Sequence, residues 1–151
     1  MPRRSAGPEL PVALVVHPDE LAVRSLESVL SPAGFSVLRA YSGAEAAAQV
    51  RRHRPDAVIL GSDLGDATGL ALSRTLRGDP EVASSMPIFL VHAGPTSRQD
   101  RLEALRAGAD DLWSQPLDTE EFVLRLAAAA RAKLDADRAR KAGLVDPTTG
   151  L

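Results

Sequence analysis

Hydrophobic and polar positions follow two alternating patterns along the chain. Short continuous apolar runs such as Val12–Val16 are typical of strands that are covered on both faces. Each run is followed by a stretch in which apolar residues recur every three or four positions, which is typical of an amphipathic helix. In Asp19–Leu30, for example, Ala22, Leu26 and Val29 form one apolar stripe. These two segments therefore predict a first strand–helix unit.

The same alternation continues along the chain. The further predicted strands are Ser36–Ala40, Ala57–Leu60, Ile88–Val91 and Leu112–Ser114. The further predicted helices are Ala44–His53, Leu70–Arg77, Arg98–Ala107 and a long helix that begins at Thr119. Strands that alternate with helices of this length imply right-handed crossovers and a parallel sheet. The predicted fold class is α/β, a doubly wound five-stranded parallel sheet with helices on both faces.

The last predicted helix is longer than a helix that only covers a sheet. It runs from Thr119 to Ala142, which is about 36 Å at ~1.5 Å per residue. Its first half carries Phe122 and Leu126, which suit packing on the sheet, whereas the part from Lys133 is mostly charged residues and alanine. We expect residues 12–132 to form the domain and residues 133–151 to be a helical extension that projects as a stalk and a linker.

The extension has two possible roles. Ala127, Ala130 and Leu134 are spaced like the start of a coiled-coil seam, but Asp137 and Lys141 interrupt the next heptad positions. The alternative is a plain solvated helix. Leu134 is accordingly a candidate contact residue.

Composition narrows the classes of function. The chain has 151 residues, of which 44% are apolar, which suits one domain, and its net charge of -2 gives no reason to expect a nucleic-acid partner. The absence of cysteine excludes disulfides and thiolate sites and is typical of the cytoplasm. No apolar run approaches the roughly 20 residues of a membrane helix. Residues 1–11, which include Gly7 and Pro8, are expected to be flexible and do not resemble a signal peptide.

Several motifs carry a family resemblance. They are Arg54–Leu60, Gly69, Ala104–Asp111 and Gln115–Leu117. With this spacing, residues 12–132 resemble the receiver domain of bacterial two-component response regulators. The resemblance implies a flavodoxin-like sheet with strand order 2-1-3-4-5 and a cis-proline turn at Gln115–Leu117.

The resemblance also implies where the family's chemistry should lie. In that family a histidine kinase donates a phosphoryl group to an aspartate at the end of the third strand. An acidic pair holds magnesium, and a lysine and a hydroxyl residue contact the product. The matching positions here are His17 and Pro18 for the acidic pair, followed by Asp19, then Gly61 for the acceptor, His92 for the hydroxyl and Gln115 for the lysine. We therefore expect a degenerate pocket with no catalytic residue, no cofactor and no resident metal.

Two alternatives remain open at this pocket. His17 and His92 should end strands that flank the strand of Gly61, with backbones roughly 10 Å apart. They either fill space or, with Asp19 or Asp63, bind a transition metal or sense pH. Asp63 is also an alternative acceptor, but it lies two residues from the matched position.

Candidate protein contacts follow from the same resemblance. Receivers commonly use the face formed by the fourth helix, fifth strand and fifth helix, where Arg101, Asp110 and Arg125 are candidate contacts. Trp113 in the fifth strand is either an exposed contact residue or part of the core. The expected partner is a second copy of the chain or another protein.

The C-terminal segment suggests an output domain. Asp146–Leu151 looks like the segment that opens GGDEF-type diguanylate cyclase domains, so the resemblance implies control of a cyclic di-GMP output domain through helical coupling. The sequence therefore predicts a pseudo-receiver that cannot be phosphorylated and is not an enzyme. A domain that senses a ligand, a metal or pH through His17 and His92 is the alternative.

Overall fold

A computed structural model describes residues 10–143, in which five strands alternate with five helices. The strands are β1 (Val12–Val16), β2 (Ser36–Ala40), β3 (Ala57–Gly61), β4 (Ile88–His92) and β5 (Asp111–Ser114). The helices are α1 (Glu20–Leu30), α2 (Gly43–His53), α3 (Gly69–Arg77), α4 (Arg98–Arg106) and α5 (Thr119–Lys141). All strands are parallel, in the order β2-β1-β3-β4-β5. The predicted fold class and strand order are confirmed.

Short polar side chains determine where the helices begin. Asp19 is the N-cap of α1, because its carboxylate accepts a hydrogen bond from the Leu21 backbone N–H at 3.0 Å. The helix therefore starts at Glu20, one residue after the predicted position. The other N-caps are Ser42, Thr68, Ser97 and Asp118.

The core consists of two apolar layers, one on each face of the sheet. Helices α2, α3 and α4 cover one face, and α1 and α5 cover the other. Because successive strand residues point to opposite faces, Leu14 and Val16 of β1 join the first layer and Ala13 and Val15 join the second. Strands buried on both faces explain the continuous apolar runs in the sequence.

The last helix differs from the expected stalk. Lys133 is buried, and its ammonium group lies 3.2 Å from a carboxylate oxygen of Asp56 and 2.7 Å from one of Asp137. Further along, the Arg140 guanidinium donates a hydrogen bond to the Ser85 hydroxyl at 3.3 Å. The predicted departure from the domain at residue 133 is therefore corrected: the helix stays in contact with the domain as far as Arg140.

The structure also bears on the coiled-coil seam predicted for this helix. Ala130, one of the proposed seam positions, is buried in the core beneath α5. It is therefore not available for packing against another helix. Leu134 is half-buried.

Some predictions concern residues outside the described range. The N-terminal segment predicted to be flexible falls almost wholly on residues 1–9, and the GGDEF-like segment Asp146–Leu151 lies beyond residue 143, so both lie outside the described residues. Between residues 10 and 143, no helix is long and apolar enough to cross a membrane.

Candidate functional site

A cavity of about 370 Å³ opens at the carboxyl ends of β1, β3 and β4. Its lining includes five of the residues predicted for the degenerate pocket, namely His17, Pro18, Gly61, His92 and Gln115. They meet because parallel strands bring the residues that follow their carboxyl ends to one edge of the sheet. Asp19, the sixth, is engaged as the N-cap of α1.

The His17 ring occupies the space above Gly61. A Cβ atom at Gly61 would lie 2.7 Å from Cδ2 of His17, which is far inside van der Waals contact. The ring is held in place because the Asp19 backbone N–H donates a hydrogen bond to its Nδ1 at 2.9 Å. An aspartate at position 61 thus requires His17 to turn away and to give up this hydrogen bond.

The accepting role of Nδ1 also defines the tautomer of His17. A ring nitrogen that accepts a hydrogen bond carries no proton, so the neutral ring carries its proton on Nε2. His17 therefore offers a hydrogen-bond donor where the receiver family has a carboxylate that binds a cation.

His92 has a different local partner. Its Nδ1 lies 2.9 Å from the hydroxyl of Ser62, which in turn lies 3.3 Å from the Val91 carbonyl oxygen. Sequence reasoning missed Ser62, because the residue after the matched acceptor has no role in the family pattern. The two imidazoles are thus held by separate partners, His17 over Gly61 and His92 against Ser62.

An acidic group lies near His92 at the start of α4. The Ser97 backbone N–H donates to the Asp100 carboxylate at 2.9 Å and is the main cause that holds the pKa of Asp100 below its usual range. Attraction to His92 lowers the Asp100 pKa further. Asp100 therefore contributes negative charge near His92.

Gln115 takes the position of the family's lysine. Its backbone N–H donates to the His92 carbonyl oxygen at 2.9 Å, and the Gln115–Pro116 peptide bond is cis, as the resemblance implies. The side chain lines the cavity with an amide in place of an ammonium group.

Asp63, the alternative acceptor, lies in the loop between β3 and α3. Its side chain is exposed, and a carboxylate oxygen accepts a hydrogen bond from the Gly65 backbone N–H at 2.9 Å. Asp63 also forms a β-bridge with Thr68. These contacts use Asp63 to shape the loop between β3 and α3.

Asp66 anchors the same loop and was missed in the sequence. Its two carboxylate oxygens accept hydrogen bonds from the backbone N–H groups of Gly43 and Ala44 at 2.8 and 3.0 Å. These two bonds hold the pKa of Asp66 below its usual range. The loop beside the acceptor position is therefore bound to the N-terminus of α2.

The metal-binding alternative finds little support in the geometry. Across residues 10–143, no three or more His, Cys, Asp or Glu side chains are grouped so that they could hold a metal ion. The His17 and His92 pair lacks a third protein ligand of the kind that zinc sites have.

The candidate contact residues have varied environments. Asp110 accepts hydrogen bonds from the Ile88 backbone N–H at 2.8 Å and from Arg77 at 2.9 Å, so it stabilises the fold. Arg125 pairs with Glu121 at 3.0 Å within α5, and Arg101 is exposed on α4.

Trp113 packs inward. Its ring contacts those of Phe89 and Phe122 at centroid distances of 6.4 and 5.2 Å. The core alternative describes this geometry better than the exposed one.

The site can be compared with known proteins. A sequence profile described as the response regulator receiver domain matches residues 13–127. The chain is 35% identical to the transcriptional regulatory protein KdpE of Mycobacterium tuberculosis, over 80% of this chain and 51% of that protein. It is 35% identical to the response regulator MprA of the same organism, over 91% of this chain and 61% of that protein. The chain thus spans little more than half the length of these relatives.

Solved structures match the fold as well. A putative response regulator from Chloroflexus aurantiacus superposes with a TM-score of 0.75 at 29% identity, covering 82% of this chain and 99% of that one.

Proposed function

The chain belongs to the response regulator receiver domain family, and from that premise we propose that it is a receiver that signals through protein contacts without being phosphorylated. One observation carries the proposal: the acceptor position is Gly61, and the His17 ring fills the space that an acceptor side chain would need. The proposal makes the chain a regulatory module and not an enzyme.

The other positions of the pocket support the same proposal. Magnesium prefers hard oxygen ligands, and His17 and Pro18 supply none from their side chains. Gln115 brings no positive charge to stabilise a phosphoryl group. Phosphoryl transfer would therefore lack the acceptor, the metal ligands and the cation together.

The proposal is tested by incubation with acetyl phosphate and magnesium, followed by intact-mass measurement. We expect no added phosphoryl group on the natural protein. We also expect none on the variant Gly61→Asp, because the metal ligands and the lysine are still missing. The variant that combines Gly61→Asp with His17→Asp, Pro18→Asp and Gln115→Lys serves as the positive control. Phosphorylation of the natural protein, at Asp63 or elsewhere, would refute the proposal.

We further propose that the contact surface lies on α4 and α5. Each helix exposes one large apolar side chain, Leu105 with 55% and Leu124 with 63% of its surface accessible. Such residues favour contact with a second copy or another protein, with Arg101 and Arg125 beside them as polar contacts.

Light scattering across a concentration series tests the homodimer. We expect Leu105→Ser and Leu124→Ser to weaken association, whereas Leu21→Ser on α1, where the side chain is 69% exposed, serves as a matched control without effect. A shortened chain used in this experiment should end no earlier than Gly143, because Lys133 is buried in the domain. A monomer at all concentrations would refute self-association and leave a different protein as the partner.

We also propose which kind of output domain the receiver controls. The segment Asp146–Leu151 supports a GGDEF domain, whereas the name of the relative KdpE, a transcriptional regulatory protein, supports regulation of transcription. We favour the GGDEF output because it rests on residues of this chain. The coding sequence that follows Leu151 decides between them: a DNA-binding domain encoded there would refute the GGDEF proposal.

A further inference from the structure

We propose that the cavity at the carboxyl ends of β1, β3 and β4 binds a small, uncharged organic molecule in place of a phosphoryl group and a metal ion. This goes beyond signalling through protein contacts, since it assigns a chemical input to the pocket. It rests on the proposed function only in that Gly61 carries no phosphoryl group.

The place and size of the cavity suit a ligand. Helix α1 follows β1 onto one face of the sheet and α3 follows β3 onto the other, so the cavity lies where the chain direction switches between faces. Open α/β sheets bind ligands at such a point. Its volume of about 370 Å³ lies in the range of small-molecule sites.

The charge of the lining argues for an uncharged ligand. Among the described residues that line the cavity there is no lysine or arginine, so an anion would lose its hydration without gaining a cation. Asp63 at the cavity and Asp100 near His92 repel anions further. A metal cation finds no group of ligands, as described above.

The apolar and polar groups of the lining indicate a ligand that has both apolar surface and a polar group. Val16, Ala22, Leu26 and Val91 supply apolar surface to the lining. His17 supplies an Nε2–H donor, and the Gln115 amide supplies a donor and an acceptor. An aromatic ring that carries an amide or a similar neutral group would satisfy both kinds of surface.

Pairs of probes that have similar shapes but different charges test whether the cavity prefers an uncharged ligand. We would titrate benzamide and nicotinamide, and their anionic counterparts benzoate and nicotinate, at pH 8 while following backbone amides by NMR. We expect saturable shifts at His17, Gly61, Ser62 and Ala93 with the neutral probes, and at least about tenfold weaker binding of the anions. Equal or tighter binding of the anions, or no shift at these amides with either neutral probe at millimolar concentration, would overturn the proposal.

Variants locate the binding. Ala22 lies half-buried on α1 at the cavity, so Ala22→Phe should fill the cavity and abolish the shifts. Ala48→Phe, at an exposed position of α2 outside the lining, is the matched control and should bind normally. If Ala22→Phe does not fold, Ala93→Phe obstructs the cavity from an exposed loop position. Unchanged binding in a folded obstructing variant would contradict the proposal.

The outcome is distinguishable from that of the proposed function. Acetyl phosphate labelling reports on phosphorylation alone, whereas the neutral probes report on the cavity alone. A chain that is not phosphorylated and does not bind the probes would retain the first proposal and lose the second.

Discussion

Replacing Lys133 with methionine should destabilise the protein by about 3 kcal/mol, because removal of one partner leaves a buried charge without compensation. The Lys133 and Asp56 side chains are only 8% and 12% exposed, and 3.2 Å separates their charged atoms. Methionine keeps most of the apolar stem and removes only the ammonium group. Asp56 would then retain a single described partner, the Val12 backbone N–H at 2.8 Å.

Substitutions of the two carboxylates that pair with Lys133 give stability losses with which the loss in Lys133→Met can be compared. Asp137→Asn removes the other carboxylate that pairs with Lys133, but its side chain is 32% exposed, so we expect a loss below about 1 kcal/mol. Asp56→Asn keeps an acceptor for Val12 and leaves Lys133 paired with Asp137, so the expected loss is about 1–2 kcal/mol. The double variant Lys133→Met/Asp56→Asn should be less destabilised than the sum of the single variants.

Urea unfolding followed by circular dichroism measures these differences. With a slope of roughly 2 kcal/mol per molar urea for a domain of this size, Lys133→Met should lower the midpoint by about 1.5 M. Hydrogen exchange should show faster exchange at residues 134–141, because this part of the helix loses its salt bridge to Asp56. A loss no larger than that of Asp137→Asn, or strictly additive single variants, would refute the idea that the pair anchors α5.

Three further predictions concern other parts of the fold. Asp66→Asn should lower stability at neutral pH. The pKa of Asp66 in the folded protein lies below its ordinary value of 3.8, so its stabilising effect is present above pH 3.8 and is lost as the pH falls through the lowered pKa. The urea midpoints of the natural protein and the variant should therefore converge in acid. Gly108→Ala should cost more than Gly34→Ala in thermal unfolding, by about 1 kcal/mol or more; both have positive φ, but only at Gly108 would the new Cβ meet a neighbour, Arg77 Cγ at 2.4 Å. Trp113→Phe should change stability by less than about 1 kcal/mol. The loss of ring contacts is partly offset, because the substitution removes a buried indole N–H that has no hydrogen-bond partner among the described residues. A loss of about 3 kcal/mol, near that of a large-to-alanine change, would contradict this prediction.

The sequence predicted the fold well because both of its periodicities were strong. Strands buried on both faces leave continuous apolar runs, and polar N-caps such as Ser42 and Asp118 mark the helix starts. The family resemblance assigned the pocket positions, and the acceptor position, Gly61, was placed by its spacing from Pro55 and Gly69. Gly69 has a physical reason to be glycine, since a Cβ there would lie 2.4 Å from the Gly61 carbonyl oxygen.

Contacts between distant residues were the part that the sequence did not reveal. Lys133 reads as one more charge on a solvated helix, and only the fold brings it to Asp56, 77 positions earlier. Asp66 likewise reads as a loop residue until α2 is placed beside it. Periodicity reports which face a residue occupies, but it does not report which charged partner lies on the element opposite.

The contact between His17 and Gly61 bears on the proposed loss of phosphorylation. With histidine at position 17, any side chain at position 61 meets the ring at 2.7 Å, so glycine is favoured there. Under the proposed loss of phosphorylation, glycine at position 61 offers no acceptor, and a metal-binding carboxylate at position 17 would have no phosphoryl group to serve. Each residue thus removes the reason for restoring the other.

A change in this pocket can still affect the rest of the chain, because β3 links the two ends of the domain. Gly61 lies at the carboxyl end of β3, and Asp56, just before the first residue of β3, forms a salt bridge with Lys133 of α5. β3 and the salt bridge between Asp56 and Lys133 therefore connect the proposed ligand site with α5.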